Sequence, residues 1–146
     1  MSLRINEREL GRIQEEGRRS YPHECCGALL GEAEDGRKSV TDLLPLANRR
    51  EDSPRNRFLI TAEDWKHAEA EAKKHGLELI GFYHSHPDHP ARPSDFDREH
   101  AWPWYSYVIV SVTQSGLGEA TSWVLAEDRT HFLPETIALL KGSVQG

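Results

Sequence analysis

The sequence predicts an α+β fold of the α/β-type, three-layer kind, and three observations carry that prediction. An alanine-rich stretch from Trp65 to His75 is framed by Thr61 and Asp64 at its start and Gly76 at its end, the signals of a helix. Asp35-Gly36 lies between two apolar stretches and tolerates the positive φ that a two-residue hairpin demands. Tyr105 to Val112 and Ala120 to Ala126 are strongly β-prone. Read along the chain, the order is helix, hairpin, helix, strand, helix, strands, which layers helices on a sheet.

Asn6 followed by Glu9 has the form of a capping box, so a helix of about fifteen residues is expected after it, with Leu10 and Ile13 inward. Ser20-Tyr21-Pro22 ends that helix, because the residue before proline resists helical dihedrals. Cys26 to Glu32 reads as a buried strand, and Ser39 to Leu46 as its hairpin return. Asn48 to Asn56 is a polar loop, and Arg57 to Ile60 a short strand. After the Thr61 helix, Leu77 to Tyr83 is an apolar strand that runs straight into His84. Pro87 to Pro93 is loop, with three prolines in seven residues. Ser94 starts a second short helix that ends before Pro103, and Pro134 to Leu140 reads as either a short helix or an edge segment.

A chain of 146 residues is expected to form one domain, residues 1–146, large enough for a real core. Its formal net charge of -6, with no local cluster of Lys and Arg, argues against nucleic acid and against anionic membranes as partners. No apolar run approaches the ~20 residues that span a bilayer, and the first residues lack a signal peptide's apolar core. A cytoplasmic protein, monomer or homodimer, is expected. The cysteines, Cys25 and Cys26, are neighbours and form no disulfide framework; they read as small buried core residues.

The stretch that carries chemistry is His84-Ser85-His86-Pro87, five residues, Pro93-Ser94, two residues, Asp97. Histidines at i and i+2 at a strand end point to one face. Ser94 and Asp97 share a helix face at i and i+3, and Ser94 also suits the helix cap. A proline-stiffened loop can then bring His84, His86 and Asp97 together as a three-ligand Zn2+ set, leaving a fourth position for water. Either element alone is a common pattern; the joint spacing is specific.

That stretch resembles the signature of the JAMM (MPN-type) zinc metalloproteases at every fixed position, and Glu24 in Pro22-His23-Glu24-Cys25-Cys26-Gly27 matches the family's upstream glutamate. The pairs Ser53-Pro54 and Arg57-Phe58 resemble prokaryotic members, and the likeness covers roughly residues 5 to 125. It implies a central, mostly antiparallel curved sheet flanked by helices, of the cytidine-deaminase type. It further implies a zinc ion, Glu24 as general base, and Ser94 as a donor to the oxyanion. The implied reaction is hydrolysis of a peptide or isopeptide bond. The implied partner is the tail of a ubiquitin-like or sulfur-carrier protein, from whose C-terminus a group is removed.

Two other readings stay open. One is a metal-dependent amidase or deaminase acting on a small molecule, although the His-X-Glu and Pro-Cys-X-X-Cys elements of zinc deaminases are missing. The other is a non-catalytic MPN-type scaffold; such domains lack the histidines or the aspartate that stand here. His23, His89 and His100 are expected at the surface, and Trp102 and Trp104 in the core.

Overall fold

The computed structural model describes residues 1–47 and 60–141. Its elements are β1 (Ser2–Asn6), α1 (Glu7–Ser20), β2 (Cys26–Glu34), β3 (Arg37–Leu46), α2 (Ala62–Lys74), β4 (Glu78–Pro87), α3 (Asp95–His100), β5 (Ser106–Thr113), β6 (Gly116–Leu125) and β7 (Phe132–Leu140). The α+β expectation holds in outline. The sheet, however, closes on itself in the order β1-β3-β2-β4-β5-β6-β7, with β7 returning to β1. Four pairings are antiparallel, while β1/β3, β1/β7 and β4/β5 are parallel.

Closure depends on β1, a strand the sequence reading passed over. Its alternation puts Leu3 and Ile5 into the core, both fully buried, and its two edges receive β3 and β7. The segment 134–140 is accordingly strand, settled by that pairing. The expected capping box at Asn6 does not form: Asn6 makes no side-chain cap, and Glu9 turns inward, 2% exposed, to meet Arg8 and Arg12. The hairpin between β2 and β3 is as expected, with Asp35 and Gly36 at φ 51° and 78°. Thr61 and Asp64 form a full capping box at the start of α2. The expected strand at Arg57 to Ile60 lies mostly outside the described residues, and Ile60 itself is not in a strand.

Helix α1 packs on one face of the closed sheet, against β1, β3, β4, β5 and β6. Ile13 and Leu10 meet Leu29, Tyr83, Val108 and Val110 there. Helix α2 covers β2 and β4 from the other face, where Ala68 and Ala72 join a cluster around Phe82 and Tyr107. Strand β4 therefore runs between two apolar layers, and every residue from Leu79 to Pro87 is buried. Burying both faces of this strand is what brings its C-terminal histidines into the interior.

Candidate metal centre

His84 and His86 lie within β4, one period of two apart, and both are buried. Asp97 comes from the first turn of α3, where it closes a capping box with Ser94: Asp97 N–H donates to Ser94 Oγ at 3.0 Å, and Ser94 N–H to Asp97 Oδ2 at 2.9 Å. The same Oδ2 stands 3.2 Å from His86 Nε2 and 3.4 Å from His84 Nε2, and the two ring nitrogens are 3.1 Å apart. Three donor atoms thus form a nearly equilateral triangle. Ligands at about 2.0–2.1 Å from a tetrahedral zinc ion are spaced about 3.3 Å from one another, so these edges fit such an ion. The group could hold a metal ion.

His86 Nδ1 bonds the Pro90 carbonyl at 2.9 Å, which fixes the ring and leaves Nε2 facing the triangle. No feature of the sequence singled out Pro90 as that acceptor. Burial pushes the His84 imidazole down, against the pull of Asp97. Burial would also lower His86, but its hydrogen bond and charge contact with Asp97 outweigh it, and the imidazole is raised. Burial raises the Asp97 carboxyl, yet the two imidazoles overcome that and hold it far below the usual carboxylate range.

Glu24 precedes β2 and faces the same place. Cys26 pairs with His84 in the β2/β4 register. One step further out, Cys25 N–H donates to Ser85 Oγ at 2.9 Å, and Ser85 N–H to Cys25 O at 3.1 Å. Glu24 is then placed beside His86, 6% exposed, and lines one cleft with His86, Ser94 and Asp97. Tyr21 adds a second tie, its hydroxyl donating to Asp88 at 2.9 Å. Ser85 was legible only as the variable position between the histidines; its role appears once strand register is known.

Glu24, Ser94, His84, His86 and Asp97 are therefore brought together. The thiols are not part of this group: Cys25 and Cys26 are buried and free, and burial pushes the Cys25 thiol up to about 12. His23, His89 and His100 are exposed, as expected, although His89 and His100 sit at the rims of cavities beside the triad. Trp102 packs against the α2-side core, but Trp104 departs from expectation: it is 44% exposed under the Lys38 ammonium.

A family description for prokaryotic homologs of the JAB domain matches residues 6–126, which spans Glu24 through Asp97. The chain belongs to this prokaryotic JAB family. Among its relatives is an archaeal Desampylase from Haloferax volcanii, 36% identical over 91 residues. That match spans 62% of this chain and 63% of the relative, somewhat under two thirds of its length. A solution structure from Salinibacter ruber is 42% identical with a TM-score of 0.74, covering 96% of this chain and 92% of the other. Another from Desulfitobacterium hafniense is 26% identical with a TM-score of 0.83 over 97% and 95%. A JAB1/MPN domain protein from Archaeoglobus fulgidus shares the fold, with a TM-score of 0.59 at 17% identity over 94% and 98%.

Proposed function

We propose that this JAB-family chain is a zinc-dependent metallopeptidase or isopeptidase. Its proposed substrate is a peptide or isopeptide bond at the C-terminus of a ubiquitin-like or sulfur-carrier protein. The observation that carries the proposal is the triangle of His84 Nε2, His86 Nε2 and Asp97 Oδ2, with edges of 3.1 to 3.4 Å, beside a buried carboxylate. Identity with a relative that bears an enzyme's name supports the hydrolytic reading.

Zinc held by the three residues would supply Lewis acidity and bring the pKa of its water toward about 7. Glu24 takes the proton of the attacking water on its carboxylate. The water oxygen joins the carbonyl carbon, the C–N bond breaks, and the amine leaves with the proton that Glu24 held. Ser94 Oγ accepts from Asp97 N–H and still carries its own proton, so the hydroxyl can cap the helix and donate to the oxyanion together. Pro90 O holds His86 in one tautomer throughout.

Elemental analysis of purified protein should find about one zinc per chain, and His84→Ala should abolish it. Glu24→Gln should keep the zinc and lose turnover by about 10²–10⁴. Incubation with carrier-protein conjugates, read by intact mass, tests the substrate class. A zinc-loaded wild type that leaves every conjugate intact would speak for a scaffold instead.

A further inference from the structure

The loop between β4 and α3 is polar and proline-rich, yet it is fastened to the sheet at three successive carbonyls. Ser111 Oγ donates to His89 O at 2.7 Å, His86 Nδ1 bonds Pro90 O at 2.9 Å, and Thr121 Oγ1 donates to Ala91 O at 2.6 Å. Arg92 N–H closes back on Pro90 O at 2.8 Å, and Ala91 is fully buried. Arg92 is the next residue out. Its side chain is exposed and lines the cleft that Glu24, His86 and Ser94 share.

Among the described residues, the Arg92 guanidinium makes no hydrogen bond and no ion pair. Asp95 and Glu99 line the same cleft without pairing to it. Some other arginines are engaged: Arg18 and Arg19 bind Glu15, while Arg98 and Arg129 donate to backbone carbonyls between α3 and the turn before β7. A rigid loop thus presents an unspent planar cation at a cleft that is otherwise largely acidic. The chain-ordering cost of that presentation is already met by the three carbonyl ties. A guanidinium so placed is suited to a carboxylate, which it can take with two parallel hydrogen bonds.

We propose that Arg92 receives a free α-carboxylate on the leaving-group side of the scissile bond. The inference rests on the hydrolytic reading above. On the acyl side, a carrier-protein tail places only amides next to its scissile carbonyl. The substrate carboxylate that comes within a residue or two of the reacting bond is the terminus of the departing segment. An isopeptide link to a lysine inside another protein offers no such group. Arg92 therefore selects for removal of one amino acid, or a very short peptide, that ends in a free acid.

The test uses two synthetic peptides ending in Gly-Gly-Ala, one a free acid and one a C-terminal amide, with the zinc-loaded protein. Wild type should favour the acid by about tenfold or more in kcat/KM, the scale of a hydrogen-bonded ion pair in a cleft. Arg92→Gln should bring the acid's kcat/KM down to the amide's. Calorimetric titration of both peptides into zinc-loaded Glu24→Gln protein, which should not turn them over, should show the same preference in affinity. Equal binding of acid and amide by Glu24→Gln protein, or an acid preference that survives in Arg92→Gln, overturns the role of Arg92. Acid-selective binding without cleavage of either peptide by wild type upholds Arg92 and counts against the hydrolase reading instead.

Discussion

Ser94 Oγ serves two ends, and the two can be separated by substitution. As the N-cap of α3 it accepts Asp97 N–H at 3.0 Å, and that turn aims Asp97 at the histidines. Replacing a serine cap by alanine costs about 1 kcal/mol, whereas glycine costs only a few tenths. Ser94→Gly should therefore leave zinc content and thermal midpoint close to wild type. If the hydroxyl also donates to the oxyanion, turnover in Ser94→Gly should still fall by about 10²–10³. A glycine variant with wild-type turnover would reduce Ser94 to a cap. The separation works because glycine is itself a tolerated N-cap residue, while it has no hydroxyl proton to give an oxyanion.

Strand β4 fixes the two histidines proposed as ligands and, through Ser85, the glutamate proposed as base. Ser85 is fully buried, and its hydroxyl holds the Cys25 amide one residue from Glu24. Ser85→Ala should retain zinc and lower kcat rather than raise KM, and Ser85→Thr should restore most of it. Equal kcat in Ser85→Ala would show that strand pairing alone places Glu24. On its other side, β4 approaches β5 so closely that a Cβ on Gly81 would stand 2.1 Å from Ser106 O. Backbone cannot give way as a side-chain tip can, so Gly81→Ala should cost about 1–3 kcal/mol in chemical denaturation. The clustering of His84, His86 and Asp97 was legible because the His-X-His-Pro and Pro-Ser-X-X-Asp elements are local, each set by strand or helix period. Long-range pairing was not legible. Ser2 to Asn6 is too short to declare itself as a strand, and only β3 and β7 on either side make it one. Glu9 illustrates the same point: its spacing from Asn6 suggested a cap, but burial beside Arg8 and Arg12 prevailed.

The closed sheet has one region devoted to the site and another held by a buried ion pair. Lys38 on β3 and Glu135 on β7 are 7% and 6% exposed, with Nζ 3.9 Å from Oε2, Trp104 over the ammonium, and Ser122 donating to Glu135 at 2.7 Å. Desolvation of such a pair offsets much of its attraction, so an apolar replacement is often neutral or better, while removal of one partner strands a buried charge. Lys38→Met with Glu135→Gln, which removes both charges, should stay within about 1 kcal/mol of wild type near neutral pH. Titration supplies a second reading. Burial holds the Lys38 amine below its ordinary value, against the pull of Glu135. The unfolded chain then keeps a proton that the folded chain has released, so this residue's contribution to stability is lost as pH falls through the folded value and is fully present above about pH 10. Denaturation at pH 8 and pH 10 should show wild type gaining on the double variant as pH rises. Neither residue belongs to the cleft around Glu24 and Asp97, so zinc content and turnover in the double variant should match wild type. Loss of zinc there would mean that strain at the ion pair travels along β3 and β2 to β4, and that closure of the sheet itself shapes the metal centre.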